Sequence, residues 1–151
     1  MSAIVEYYTR DGEDHKGRTW LQTLMLSDRK LEYTHDYIQW LFPLDEPSKY
    51  CKKSPVLTQE DINALRSNPV VATRLCSAVD RMLRFYGGNR HWRDPDDHNL
   101  MRITRMLKCL VLLGQPDLAN EFYDWLTSLD DDQEMFAKAL PFWQEAVGRH
   151  T

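Results

Sequence analysis

The chain has 151 residues, 42% of them hydrophobic and 28% charged, a length and balance that fit one globular domain with its own core and exclude a disordered tail. A formal net charge of −4 gives no general attraction to nucleic acid or to an anionic bilayer, so neither is an expected partner. The longest apolar run, Leu110 to Leu113, is far too short to span a membrane, and Met1 to Arg10 lack the basic-then-apolar pattern of a signal peptide. Cys51, Cys76 and Cys109 are odd in number, widely spaced and form no CxxC pair. They point to a soluble protein of a reducing, cytoplasmic compartment, with Cys76 and Cys109 acting as small hydrophobes inside helices.

Residues 18–26 and 28–41 read as two helices separated by Ser27, an N-cap residue. Wound at about 100° per residue, the second places Leu31, His35, Ile38 and Phe42 on one line and Tyr33, Tyr37 and Trp40 on the far side. Glu32, Asp36 and Gln39 form a polar ridge between them. A helix apolar on two sides is central and mostly buried. Pro43, Pro47 and Pro55 make 43–57 irregular.

Thr58 with Glu60 and Asp61 behind it opens a short helix reaching about Ser67. The best-defined helix follows at 70–86. Asn68 caps it, Pro69 starts it and Gly87–Gly88 stops it. Val71, Leu75, Ala78, Val79, Met82 and Tyr86 share its apolar face, and Arg74, Ser77, Asp80, Arg81 and Arg84 its exposed face.

Asn99 to Leu113 is helical and ended by Gly114, with Leu100, Ile103, Leu107 and Val111 toward the core and Arg102, Arg105 and Lys108 as a basic ridge. Pro116 opens a helix carrying Leu118, Phe122, Trp125 and Leu129. A last one covers about 132–147, where Pro141 forces a kink or a restart. Strand-like alternation is absent. The predicted class is all-α, a single domain over 1–151 built as an irregular bundle of about seven or eight helices.

The acidic ridge needs partners, and the basic ridge offers them. Either Arg102 or Arg105 pairs with Glu32 or Asp36 to lock two helices in register, or Arg102, Arg105 and His98, with Gln39, Asp36 and Tyr86, line a pocket for an anionic ligand or a peptide carboxylate. In the second case the pocket could serve an uncharacterised enzyme. His35 beside Asp36, and His98, invite acid–base chemistry, but a histidine on an apolar line belongs to the core and one before a helix is a cap. His91, Asp94, Asp96, Asp97 and His98 could ligate a metal, yet Asp-Pro-Asp-Asp before a helix is ordinary turn chemistry. Neither GxSxG, GxxxxGK[ST] nor HExxH occurs, so an enzyme is disfavoured and no cofactor or metal is expected. The tryptophans are core material except Trp92, whose polar neighbours place it on an open surface.

The string Leu31-Glu-Tyr-Thr-His-Asp-Tyr-Ile-Gln-Trp-Leu-Phe-Pro43 resembles the conserved region of the opioid growth factor receptor family. So do His98-Asn99 with Arg102-Ile-Thr-Arg105-Met-Leu-Lys108 and Leu113-Gly114, and Arg84-Phe-Tyr-Gly87 more weakly. The resemblance covers roughly 5–115. It implies an all-helical binding domain. For vertebrate relatives it implies an enkephalin-type peptide ligand and a perinuclear or nuclear role in growth restraint. The chain ends just after the domain, as expected of a domain-only, bacterial-type member, and the segment 88–97 is shorter than the family pattern. No ligand-contact residues carry over from the family.

Overall fold

The computed structural model of the chain describes residues 1–130 and 134–149. Nine helices form among them. They are α1 (Ala3–Thr9), α2 (Trp20–Leu24), α3 (Asp28–Tyr33), α4 (Ile38–Leu41), α5 (Gln59–Ser67), α6 (Pro69–Gly87), α7 (Asn99–Leu112), α8 (Pro116–Ser128) and α9 (Leu140–Ala146). Two isolated bridges, Glu13 with Thr19 and Leu44 with Val56, are the only β pairing among the described residues. The fold class is all-α. Contacts gather into two compact units, Met1–Arg81 and Met82–Thr151.

In the first unit, α1 is a helix the sequence reading did not identify. Ser2 caps it by accepting from the Val5 N–H, and Ile4, Val5, Tyr7 and Tyr8 are buried. Those four positions carry helical spacing, but α1 is only two turns long and its propensity is poor. Capping fixes the starts of α3, α5 and α6 as expected. Ser27 accepts from Lys30 N, and Thr58 and Asp61 form a capping box at α5. Asn68 Oδ1 accepts from Val70 N at 2.9 Å at the start of α6. The Asp61 carboxylate also ties α5 to α1, because Ser2 Oγ donates to it at 2.6 Å.

The predicted apolar face of α6 is buried throughout, from Val71 to Tyr86. Its opposite face is less exposed than expected. Arg74 reaches back to the Tyr7 carbonyl at 3.1 Å and to Asp11, and lies over the Trp20 ring at 4.7 Å. Arg81 donates to the carbonyls of Leu24 and Leu26 and to Asp28 at 2.7 Å. Each arginine supplies donors to carbonyls that a short helix leaves open. Cys76 also departs from expectation, being exposed on α6.

In the second unit, α7 packs against α8 and α9. Gly114 at φ 81° ends α7, as its freedom for the left-handed region allows. Val111 was expected in the core but is 38% exposed. Leu100, Ile103 and Leu107 are buried as predicted, and Met106, Cys109 and Leu110 are fully buried beside them, so the buried face extends to the side away from Val111. Pro141 acts as a restart: 134–139 are mainly turns, and α9 begins at Leu140 with the proline in its first turn. Residues 132 and 133, the start of the expected last helix, lie outside the described residues.

Trp92 is fully buried, contrary to the sequence reading. Its ring stacks on Phe136 at 5.5 Å, which meets Trp143 at 5.1 Å, and its other neighbour is Tyr86 at 4.7 Å. The indole N–H donates to the carbonyls of Tyr86 (2.9 Å) and Asn89 (3.1 Å), closing the C-terminal end of α6. The polar neighbours in the sequence thus surround an apolar ring with a satisfied donor.

Two outcomes test this packing. Phe136→Ala should lower stability by about 3–5 kcal/mol, read as a lower urea midpoint. For Asp61, burial raises the pKa, but bonds from the Ser2 hydroxyl and from the Thr58 backbone and side chain outweigh it and leave the carboxyl below its ordinary range. A depressed folded pKa gives stability that is present at neutral pH and lost as pH falls through the acidic range. Ser2→Ala should therefore move the Asp61 titration back toward the ordinary value in carbon-detected NMR.

Candidate functional site

Residues 13–19 form a tight turn around one buried carboxylate. Asp14 is 6% exposed. Its Oδ1 accepts from the backbone of Lys16 (2.8 Å) and Arg18 (3.0 Å), and its Oδ2 accepts from Arg18 Nε at 2.7 Å. Gly17, at φ 78°, makes the reversal possible.

From this turn the Arg18 guanidinium extends to Asp36, donating to its carbonyl at 3.2 Å and its carboxylate at 3.0 Å. Burial disfavours the charge on Arg18, but the bonds to Asp14 and Asp36 outweigh it and raise its pKa. Beside them, His15 Nε2 lies 3.5 Å from the other Asp36 oxygen, while His15 Nδ1 accepts from Trp40 Nε1 at 3.0 Å. Accepting at Nδ1 leaves the proton of neutral His15 on Nε2, facing the carboxylate.

This cluster explains why 28–41 is not one helix. Thr34 ends α3 with extended backbone, and α4 restarts only at Ile38. The carbonyls that a continuous helix would satisfy with backbone N–H groups have side-chain donors here. Tyr37 Oη donates to Leu31 O at 2.8 Å, Gln39 Nε2 to His35 O at 3.2 Å, and Arg18 to Asp36 O. Tyr33 to Asp36 are all weak helix formers, so the break is inexpensive. Leu31, Ile38 and Phe42 are still buried as the spacing predicted. His35, expected on the apolar line, is exposed in the break, and of the aromatic stripe Tyr33 is exposed while Tyr37 and Trp40 are buried.

In the first unit, Asp36 is held by Arg18 and His15. Gln39 is 4% exposed and reaches His35 O and Ser48 Oγ. In the second unit, Tyr86, His98 and Arg102 gather about Asn99, which is fully buried and was read only as a helix start. Asn99 Oδ1 accepts from Tyr86 Oη (3.2 Å) and Arg102 Nη1 (3.3 Å), and Asn99 Nδ2 donates to Asp97 Oδ1 at 3.0 Å. Asp97 Oδ1 also accepts from Asn99 N at 2.8 Å and lies 3.8 Å from His98 Nδ1. Asp97, and not the expected His98, therefore supplies the side-chain bond at the start of α7. Arg102 is buried, Arg105 and the side chain of His98 are part exposed, and Arg105 acts on the buried Cys109 thiol. Burial raises that thiol's pKa far more than Arg105 lowers it.

An open groove of about 450 Å³ lies between α1 and the α5–α6 junction, lined by residues including Val5, Thr9, Arg10, Ala64, Ser67 and Pro69. None of the sequence-read site residues lines it. No helix is long and apolar enough to cross a membrane among the described residues.

The chain is thus an all-helical domain whose histidine, carboxylate and arginine groups brace a broken helix. The family model for the opioid growth factor receptor (OGFr) conserved region matches residues 13–93, from the Asp14 turn to just past Trp92. The chain belongs to that family. It is 38% identical over 102 residues to the opioid growth factor receptor of Rattus norvegicus, covering 56% of this chain and 17% of the relative. The Homo sapiens receptor is 37% identical over 105 residues, covering 56% and 15%. Opioid growth factor receptor-like protein 1 of Xenopus tropicalis is 36% identical over 138 residues, covering 78% and 25%. The chain therefore matches a quarter or less of the length of these relatives. No solved structure matches it.

Removing the Asp14 carboxylate leaves Arg18 Nε and the backbone N–H groups of Lys16 and Arg18 without their acceptor. Asp14→Ala should cost about 3 kcal/mol or more, measured by urea unfolding. Asn99→Ala should cost about 2 kcal/mol by the same measurement, because it strips acceptors and donors from Tyr86, Arg102 and Asp97 together.

Proposed function

We propose that this chain is a non-catalytic binding domain that takes a short peptide, as the receptor name of its relatives implies for them. The observation that supports this reading is how the reactive groups of the first unit are used. Both nitrogens of His15 have partners, and Asp14 and Asp36 hold Arg18. Burial raises the Tyr7 hydroxyl beyond useful acidity. A general acid or base must reach a substrate proton, and these groups are already engaged in the fold.

The ligand contacts assigned to this reading within the second unit are Tyr86, His98, Arg102 and Arg105, with Asp36 and Gln39 belonging to the first unit. His98 and Arg105 are the accessible cationic or polar contacts, and Asn99 orients Tyr86 and Arg102. A cytoplasmic setting accords with the three free cysteines.

Isothermal titration of the chain with an enkephalin peptide tests the proposal. Saturable heat with a dissociation constant of about micromolar or tighter is expected, weakened about tenfold by the double variant His98→Ala, Arg105→Ala. No heat at high peptide concentration, or equal heat from the reversed sequence, rules the peptide out.

A further inference from the structure

Several cationic side chains of the chain are occupied by carboxylates. Arg18, Arg74, Arg81, Lys138 and Arg149 each hold a carboxylate. The segment Lys49-Tyr50-Cys51-Lys52-Lys53 is different. Its three lysines are all exposed and hold no carboxylate among the described residues. Tyr50, 71% exposed, stands among them, with Val56, 46% exposed, close behind in the chain. Five successive residues thus carry three positive charges and an exposed ring, in a chain whose net charge is −4.

The turn that displays them is pinned. Cys51 is buried beneath it, and its carbonyl accepts from Ser54 N (3.2 Å) and Ser54 Oγ (2.8 Å). Ser48 Oγ accepts from Tyr50 N at 3.2 Å and lies 3.5 Å from Gln39 Nε2 of α4. Leu57 N donates to Leu44 O at 2.8 Å, closing the base of the loop. A loop held at both ends loses little further freedom when it binds.

We infer that the 49–53 turn is a docking surface for an acidic peptide segment of a protein partner, with Lys49, Lys52 and Lys53 facing its carboxylates and Tyr50 covering its apolar side chain. Magnitudes favour this partner over other anions. Three phosphate contacts give nucleic acid only weak, steeply salt-dependent binding, and the net negative charge opposes a duplex. Near an anionic bilayer each lysine raises partitioning roughly fivefold, and stable attachment needs a second, acyl or amphipathic, anchor. A short acidic segment needs only a few charges and one aromatic contact, and its attraction steers encounter.

The test uses the full chain and a fluorescein-labelled peptide of Glu and Asp residues around one Leu, followed by anisotropy at several salt concentrations. Parallel titrations use a single-stranded RNA and phosphatidylserine vesicles. Expected are saturable peptide binding that weakens as salt rises, at least about tenfold loss in the Lys49→Glu, Lys52→Glu, Lys53→Glu variant, and a smaller loss in Tyr50→Ala. The variant side chains are exposed, so unchanged helical circular dichroism accompanies these losses. Absence of peptide binding, full binding by the triple variant, or tighter binding of RNA or vesicles than of peptide would each overturn the inference. This surface does not depend on the opioid-peptide reading, and loss of enkephalin heat leaves its test unchanged.

Discussion

The first unit depends on one buried carboxylate and the arginine it holds. Asp14 closes the turn that precedes α2, and the guanidinium it orients reaches Asp36 in the gap between α3 and α4. A lone buried carboxylate is strongly unfavourable, and so is a broken helix turn with open carbonyls. Placed together, each supplies what the other lacks. The local direction of the chain at 34–37 is set by that exchange, and with it the burial of Tyr37 and Trp40 on one side and the exposure of His35 and Tyr33 on the other.

The second unit solves the same difficulty with aromatic rings. Trp92 fills apolar space with its ring and satisfies the end of α6 with its N–H, and Trp143 Nε1 donates to Leu100 O at 3.3 Å. Asn99, buried at the start of α7, holds Tyr86 and Arg102, as Asp14, buried in the turn before α2, holds Arg18. In both cases a small buried polar group holds larger cationic or phenolic groups in place.

Much of the helical framework was legible because caps and apolar spacing are local signals. Ser27, Thr58, Gly114 and Pro116 act where the residues predict, and the buried face of α6 follows its spacing. The break in 28–41 was not legible, since the donors that make it possible include Arg18, far back in the chain, and a tyrosine hydroxyl that reaches six residues back. Trp92 was misread for a related reason: its companions Phe136 and Trp143 lie more than forty positions away in sequence, so its immediate neighbours misinform. The candidate site residues were individually recognisable as polar groups on buried elements. Their partners were not, because the bracing roles of Asn99 and Asp14 declare themselves only by burial.

The three thiols differ sharply in access. Cys51 and Cys109 are enclosed, and burial keeps the Cys109 proton on sulfur, whereas Cys76 stands open on the longest helix. Thiol reagents therefore have a single point of entry to the folded chain, and a maleimide dye or spin label would land on α6 alone. Left in air without reductant, the same sulfur would couple chains in pairs, producing a dimer that dithiothreitol dissolves and that reports oxidation, not assembly.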